Sequence, residues 1–220
     1  MTAASGAAIA LPLELRREEV LHFLGYPEGR EPGPRVATAL AASLDEARTL
    51  ADARGVFLRL PAARAGEAGL PLPRSGPPVV DVVLGLVTAG EGLERHGAEL
   101  ARRGRTSEAL LLDAAGSAAA EEAADRLCAL VVGDEGARER LSCRVSPGYG
   151  DWPLAAQPRL FALLPHAGIG VELLPSLMMR PRKSVSFAMW LGADGRPVPG
   201  LSGCDHCLLD RCAFRIRRSR

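Results

Sequence analysis

The sequence predicts an α+β domain in which N-terminal helices pack on a small, mostly antiparallel sheet. Three observations lead there. Amphipathic helical spacing dominates the first part of the chain, the best late strands (Gly170 to Leu174 and Ser184 to Leu191) come after it, and from Leu141 onward Pro147, Pro153, Pro158, Pro165, Pro175 and Pro181 interrupt every would-be element. Helices first and strands later is the order of an α+β fold, not the βαβ alternation that builds a doubly wound parallel sheet. At 220 residues the chain has the length of one domain with a real core.

Element by element, residues 1–13 read as a flexible N-terminus, 14–200 as the folded domain and 201–220 as a cysteine-rich basic tail. Leu15, Val20, Leu21 and Leu24 recur at helical spacing, and Gly25 ends that helix before a turn-rich connector from Pro27 to Pro34. Val36, Leu40, Leu44, Ala47 and Leu50 form the stripe of a longer helix, which Gly55 stops before a strand at Val56 to Leu60. Pro61 to Pro78 reads as a long loop with room for one short strand. Val79 to Thr88 fits a buried strand or a buried helix, with the strand favoured. A helix from Glu91 to Arg103 ends at Gly104, and Thr106 or Ser107 caps a long second one. Within it Ala114 to Ala120 carries almost no side-chain bulk, which serves tight helix packing or the close approach of a ligand.

The 27 basic and 26 acidic residues leave a net charge of +1, too balanced for a nucleic-acid or membrane-surface protein. No apolar run has the length of a membrane span, and Met1 to Leu13 lacks the basic segment of a secretion signal. Five cysteines, an odd number, do not make the framework of a small secreted domain, so a reducing cytoplasm is expected. Aromatic residues make up only 4%, so Leu, Val and Ala must fill the core. Lys183 is the single lysine among the basic residues. His22, His96 and His166 are scattered and read as packing or surface residues. A Rossmann-type glycine turn is rejected, because Arg95 stands where Gly90-Glu91-Gly92 would need its third glycine.

Chemistry concentrates first in Cys143-Arg144-Val145-Ser146-Pro147-Gly148-Tyr149-Gly150-Asp151-Trp152-Pro153, which holds two of the four Tyr and Trp residues. Pro147 fixes one torsion, and Gly148 and Gly150 permit positive φ, so backbone amides can approach a ligand. Arg144 can clamp a carboxylate and Tyr149 can pack on a planar ring. The other reading is a strand, a tight turn and aromatic plugs for the core.

Arg144, Gly148 and Tyr149, set in Arg-Val-Ser-Pro-Gly-Tyr-Gly-Asp-Trp-Pro-Leu, resemble the signature of the activation domain of cobalamin-dependent methionine synthase. Ser176-Leu177-Met178-Met179-x-Pro181-x-Lys183-Ser184-Val185-Ser186 resembles that family's second block, and Glu19 to Tyr26 and Leu111 to Ala119 look like its short free-standing members. The resemblance covers most of residues 14 to 215. It implies an activation-domain-like fold for residues 14–200 and S-adenosylmethionine as ligand. Arg144 would hold the carboxylate, backbone near Ser146 and Gly148 would contact adenine or ribose, and Tyr149 carries over as part of the motif. It also implies an accessory subunit of a methyltransferase, with S-adenosylmethionine as the methyl donor that remethylates cobalamin after reduction from the cob(II) state. The cobalamin would sit on a partner, either a methionine synthase or another corrinoid protein, since the chain has no Asp-x-His-x-x-Gly of its own. The sequence departs from the family at Met189, where the fused enzymes carry an aromatic ligand contact, and no acid of the N-terminal part aligns with the family's.

The second constellation is Cys204, Cys207 and Cys212, a Cys-x-x-Cys pair with a third thiol close by. Thiolates so placed hold an iron–sulfur cluster or zinc, form a redox-active pair, or remain free on a tail. A cluster would deliver the electron that reactivation needs. Cys128, in a helical stretch, reads as a buried apolar residue. Arg211, Arg215, Arg217, Arg218 and Arg220 make the basic end either a solvated tail or a docking patch for an acidic partner such as flavodoxin or the corrinoid protein. A metal-binding interaction protein without S-adenosylmethionine activity is the alternative of another class.

Overall fold

The structure, a computed structural model, describes residues 3–4, 7–70, 72–73, 78–132, 142, 144–149 and 152–193. In chain order its elements are β1 (Ala3–Ala4), β2 (Ile9–Ala10), α1 (Arg17–Phe23), α2 (Pro34–Leu50), β3 (Arg54–Pro61), α3 (Ala62–Glu67), β4 (Val79–Thr88), α4 (Gly92–Arg102), α5 (Thr106–Val132), α6 (Gln157–Leu163), β5 (Glu172–Leu173), β6 (Met179–Arg180) and β7 (Ser184–Gly192). Short 3-10 turns at Leu154–Ala156 and His166–Ile169 flank α6.

The main sheet is antiparallel, in the order β1, β3, β4, β7, with β2 also paired to β3. β4 lies between β3 and β7, and its side chains alternate between two cores. Val82, Leu84 and Leu86 meet Trp152, Leu160 and Trp190 on one face. Val83 and Val87 meet Phe187, Met189 and the α5 residues Ala123, Ala124 and Leu127 on the other. A strand buried on both faces reads as a continuous apolar run, which is why its period alone left helix and strand open. A third core joins α1, α2 and α4 to Leu111, Leu112, Ala115, Ala118 and Ala119 of α5.

The α+β class is as expected, but the order that suggested it is not. β3 and β4 precede α4 and α5, and the class follows instead from an antiparallel sheet. Residues 9–10, expected to be flexible, pair with Gly55 and Arg54 of β3, and Leu11 is buried beside them. Burying that apolar side chain while its N–H donates to the Ala53 carbonyl (2.9 Å) offsets the cost of ordering the segment. The stretch after Pro61 holds the six-residue helix α3, with Ala65 buried, and not a strand. Among the described residues no helix is long and apolar enough to cross a membrane.

Gly85 stands opposite Phe187 across β4 and β7. The Phe187 ring occupies the space above it, and a Cβ at Gly85 would lie 2.2 Å from Phe187 Cζ. Gly85→Ala should therefore destabilise the fold by roughly 3 kcal/mol, as overpacking in a filled core does. Urea denaturation measures this, and in a Phe187→Leu background the added cost should be smaller by about 1 kcal/mol or more.

Candidate functional site

Ser142 and Val145 pair antiparallel with the outer edge of β7. Val145 and Ala188 exchange both backbone hydrogen bonds (2.9 and 2.8 Å), Ser142 N–H donates to the Trp190 carbonyl (2.9 Å), and Trp190 N–H donates to the Ser142 hydroxyl (2.9 Å). Val145 enters the core under Trp190. Side-chain alternation then turns Arg144 toward the opposite face of the sheet, which α5 covers.

There the Arg144 guanidinium donates from Nη1 to Asp125 Oδ1 and from Nη2 to Glu121 Oε2. Glu121 and Asp125 are one turn apart on α5, so both carboxylates share a face and bracket the cation. The Arg144 side chain is 23% exposed, against 48% for Glu121 and 67% for Asp125. Burial acts to lower the Arg144 pKa, and the two carboxylates outweigh it and raise it. Burial also pushes the Cys128 thiol up to about 11, with Arg144 pulling the other way.

Ser146 to Tyr149 form a closed turn. Tyr149 N–H donates to the Ser146 carbonyl (3.2 Å), Trp152 N–H to the Tyr149 carbonyl (3.0 Å), and Gly148 N–H to the Trp152 carbonyl (2.7 Å). Gly148 has φ +97°, a conformation in which a side chain is strained. The N–H groups of Gly148 and Tyr149 are thus spent on the turn, as are the carbonyls of Ser146 and Tyr149. Trp152 is buried as an aromatic plug for the core, in line with the other reading of this loop, whereas Tyr149 is 54% exposed. Trp152 Nε1 and Gln157 Nε2 are buried and meet no acceptor among the described residues.

Sequence reasoning missed Glu121 and Asp125, although their four-residue spacing on an alanine-rich helix was visible. It also missed the partners of Lys183, whose Nζ meets Asp113 Oδ1 at 2.8 Å and Ser117 Oγ at 2.9 Å. The low bulk of Ala114 to Ala120 admits that lysine: a Cβ at Gly116 would stand 3.1 Å from its Cε. Met189 is buried against α5 and is a core residue. Cys204, Cys207 and Cys212 lie outside the described residues, among which no group of three His, Cys, Asp or Glu side chains could hold a metal ion. A surface depression lined by Asp45, Glu46, Thr49 and His96 involves α2 and α4, and no residue of the Arg144 turn lines it.

Among solved structures, the chain is similar to the MetH reactivation domain bound to AdoHcy, with a TM-score of 0.59 and 15% identity, over 88% of this chain and 78% of that one. No family model and no curated protein sequence matches. The likeness is one of fold, and it agrees with the activation-domain-like architecture that the motifs implied.

The thiol of Cys128 yields a further expectation. Its pKa is 9.0 when exposed and about 11 in the fold. Between those values the folded state holds a proton that the unfolded chain has lost, so stability falls as pH rises through this window. Chemical denaturation at a series of pH values should show that decline, and Cys128→Ala should make it shallower.

Proposed function

We propose that this chain binds S-adenosylmethionine beside Arg144 and acts as the activation subunit of a cobalamin-dependent methionine synthase system, supporting reductive remethylation of cob(II)alamin. The observation that carries this reading is the fold shared with an AdoHcy-bound reactivation domain over 88% of the chain. The Arg144 site fits such a ligand. An amino-acid end carries a carboxylate and an ammonium, so it can take Arg144 from Glu121 and Asp125 and return a cation to the acids it displaces. Both acids are substantially exposed and are rehydrated at little cost during the exchange. Tyr149 offers a ring for the adenine face, and Ser146 and the bend at Gly148 lie beside it in the turn. When bound, the sulfonium supplies the methyl group. The residues of this chain hold and orient the donor.

Cobalamin belongs to a partner, a methionine synthase or another corrinoid protein in the cytoplasm. The basic tail suits an acidic electron donor of the flavodoxin type, and Cys204, Cys207 and Cys212 suit an iron–sulfur cluster or zinc. The alternative, a metal-binding interaction protein without the ligand, is favoured by one observation: Arg144 already has two anionic partners.

Calorimetric titration of anaerobically purified protein with S-adenosylmethionine and AdoHcy separates the two. Saturable binding is expected, and Arg144→Ala should weaken it roughly 10- to 100-fold, the scale of one lost charge-assisted contact. A folded protein that binds neither compound overturns the proposal. Iron, sulfide and zinc analysis of the same sample then tests the cysteines.

A further inference from the structure

Every polar group of Lys183 is engaged, each by a different element. Its N–H donates to Glu94 Oε1 on α4 (2.8 Å). Its carbonyl accepts from Ala89 N–H (2.8 Å) and the Thr88 hydroxyl (3.4 Å) at the end of β4. Its ammonium, on a side chain only 12% exposed, pairs with Asp113 and Ser117 on α5. The stem crosses α5 at Gly116, where a Cβ would stand 3.1 Å from Cε and 3.2 Å from Cγ. One residue thus joins β4, α4 and α5 at the start of β7.

Asp113, Ser117, Glu121 and Asp125 recur every four residues and form one ridge of α5. Lys183 takes the first two and Arg144 the last two. Both cations are carried by β7, since Lys183 directly precedes it and Arg144 is fixed through the Val145 and Ala188 pair. Sliding α5 by one turn, about 5.4 Å, in either direction would set Arg144 against Ser117 and Glu121 or against Asp125 and Ala129, one acid in place of two.

We propose that Lys183 is a positioning residue for ligand binding at Arg144. By fixing α5 lengthwise against β7, it places Glu121 and Asp125 where they hold Arg144 and can yield it to an incoming carboxylate. The proposal rests on the S-adenosylmethionine reading above. A simple fastener would affect stability alone, whereas a positioning residue affects affinity at a site that it does not touch.

Three variants distinguish these roles, each titrated with AdoHcy in the calorimeter beside the wild type and melted in parallel. Lys183→Met keeps the stem over Gly116 and removes the charge. Gly116→Ala keeps the charge and displaces the stem, while being intrinsically the better helix former. Lys183→Arg restores the charge. Lys183→Met and Gly116→Ala should each weaken AdoHcy binding roughly five- to tenfold, the usual size of coupling between sites. Gly116→Ala should do so without a matching fall in Tm, and Lys183→Arg should keep most of the wild-type affinity. Wild-type affinity in both Lys183→Met and Gly116→Ala overturns the proposal, as does a loss that follows Tm in all three. A wild type that binds no AdoHcy overturns the ligand reading as well, and the first titration alone reveals it.

Discussion

A 27-residue helix is about 40 Å long, whereas the outer strands of a four-strand-wide sheet lie about 14 Å apart. The helix α5 therefore cannot bury its whole length on the sheet, and its two halves must find different partners. Its N-terminal half packs among α1, α2 and α4, and its C-terminal half covers β4 and β7. Serving both requires apolar surface on more than one side, and alanine meets that demand with little bulk and no loss of helix propensity. The run from Ala114 to Ala120 has this character, and the space it leaves also admits the Lys183 stem. The helical layer, the sheet and the Arg144 face are in this sense consequences of how closely α5 can be approached.

One charged ridge of α5 faces the sheet edge, and Lys183 and Arg144, which meet it, come from the segment leading into β7 and the segment paired to its edge. Ion pairs with exposed acids contribute only about 0–1 kcal/mol each, so they add little to the stability of cores built from Leu, Val, Ala and two buried tryptophans. Their effect is on register and on the state of Arg144. A guanidinium pressed against a sheet edge stays charged, and its partial burial is costly unless something anionic faces it. Glu121 and Asp125 meet that requirement in the free protein, and any anion that displaces them must meet it in turn. On the proposed reading, a ligand that brings a cation along with its carboxylate leaves the charge balance of the site unchanged, which would favour amino-acid-like ends over simple anions.

Much of this was legible in the sequence where a residue pattern has one structural solution. The stripe of α2, the break at Gly104 and the late strand from Ser184 each carry a periodicity or a stop signal that tertiary structure leaves intact. The two-residue strands of the N-terminus do not, because they exist only through their pairing with β3. α3 was hidden for a related reason: six residues among glycines and prolines are too few to show a period. In the site, Arg144 and its turn stood out through their motif. Glu121 and Asp125 did not, since acids four residues apart on a helix also describe an ordinary solvated face. Only the antiparallel bridge that turns Arg144 toward α5 distinguishes the two.

The same bridge accounts for the different fates of the loop's two aromatic residues. Val145 and Trp152 anchor the two ends of the turn in the core beneath β7, and three backbone hydrogen bonds close the chain between them. A loop held at both ends can leave a ring outside without losing its shape, and Tyr149 is that ring. The amides spent on closing the turn are unavailable to a ligand, so rigidity here is obtained at the expense of backbone recognition. On the proposed S-adenosylmethionine reading, specificity would then rest on side chains: a guanidinium and an exposed tyrosine at two points of a short segment whose ends are buried. A guanidinium at one point and a ring at another suit a molecule with a charged end and a flat end, which is the form of the proposed ligand.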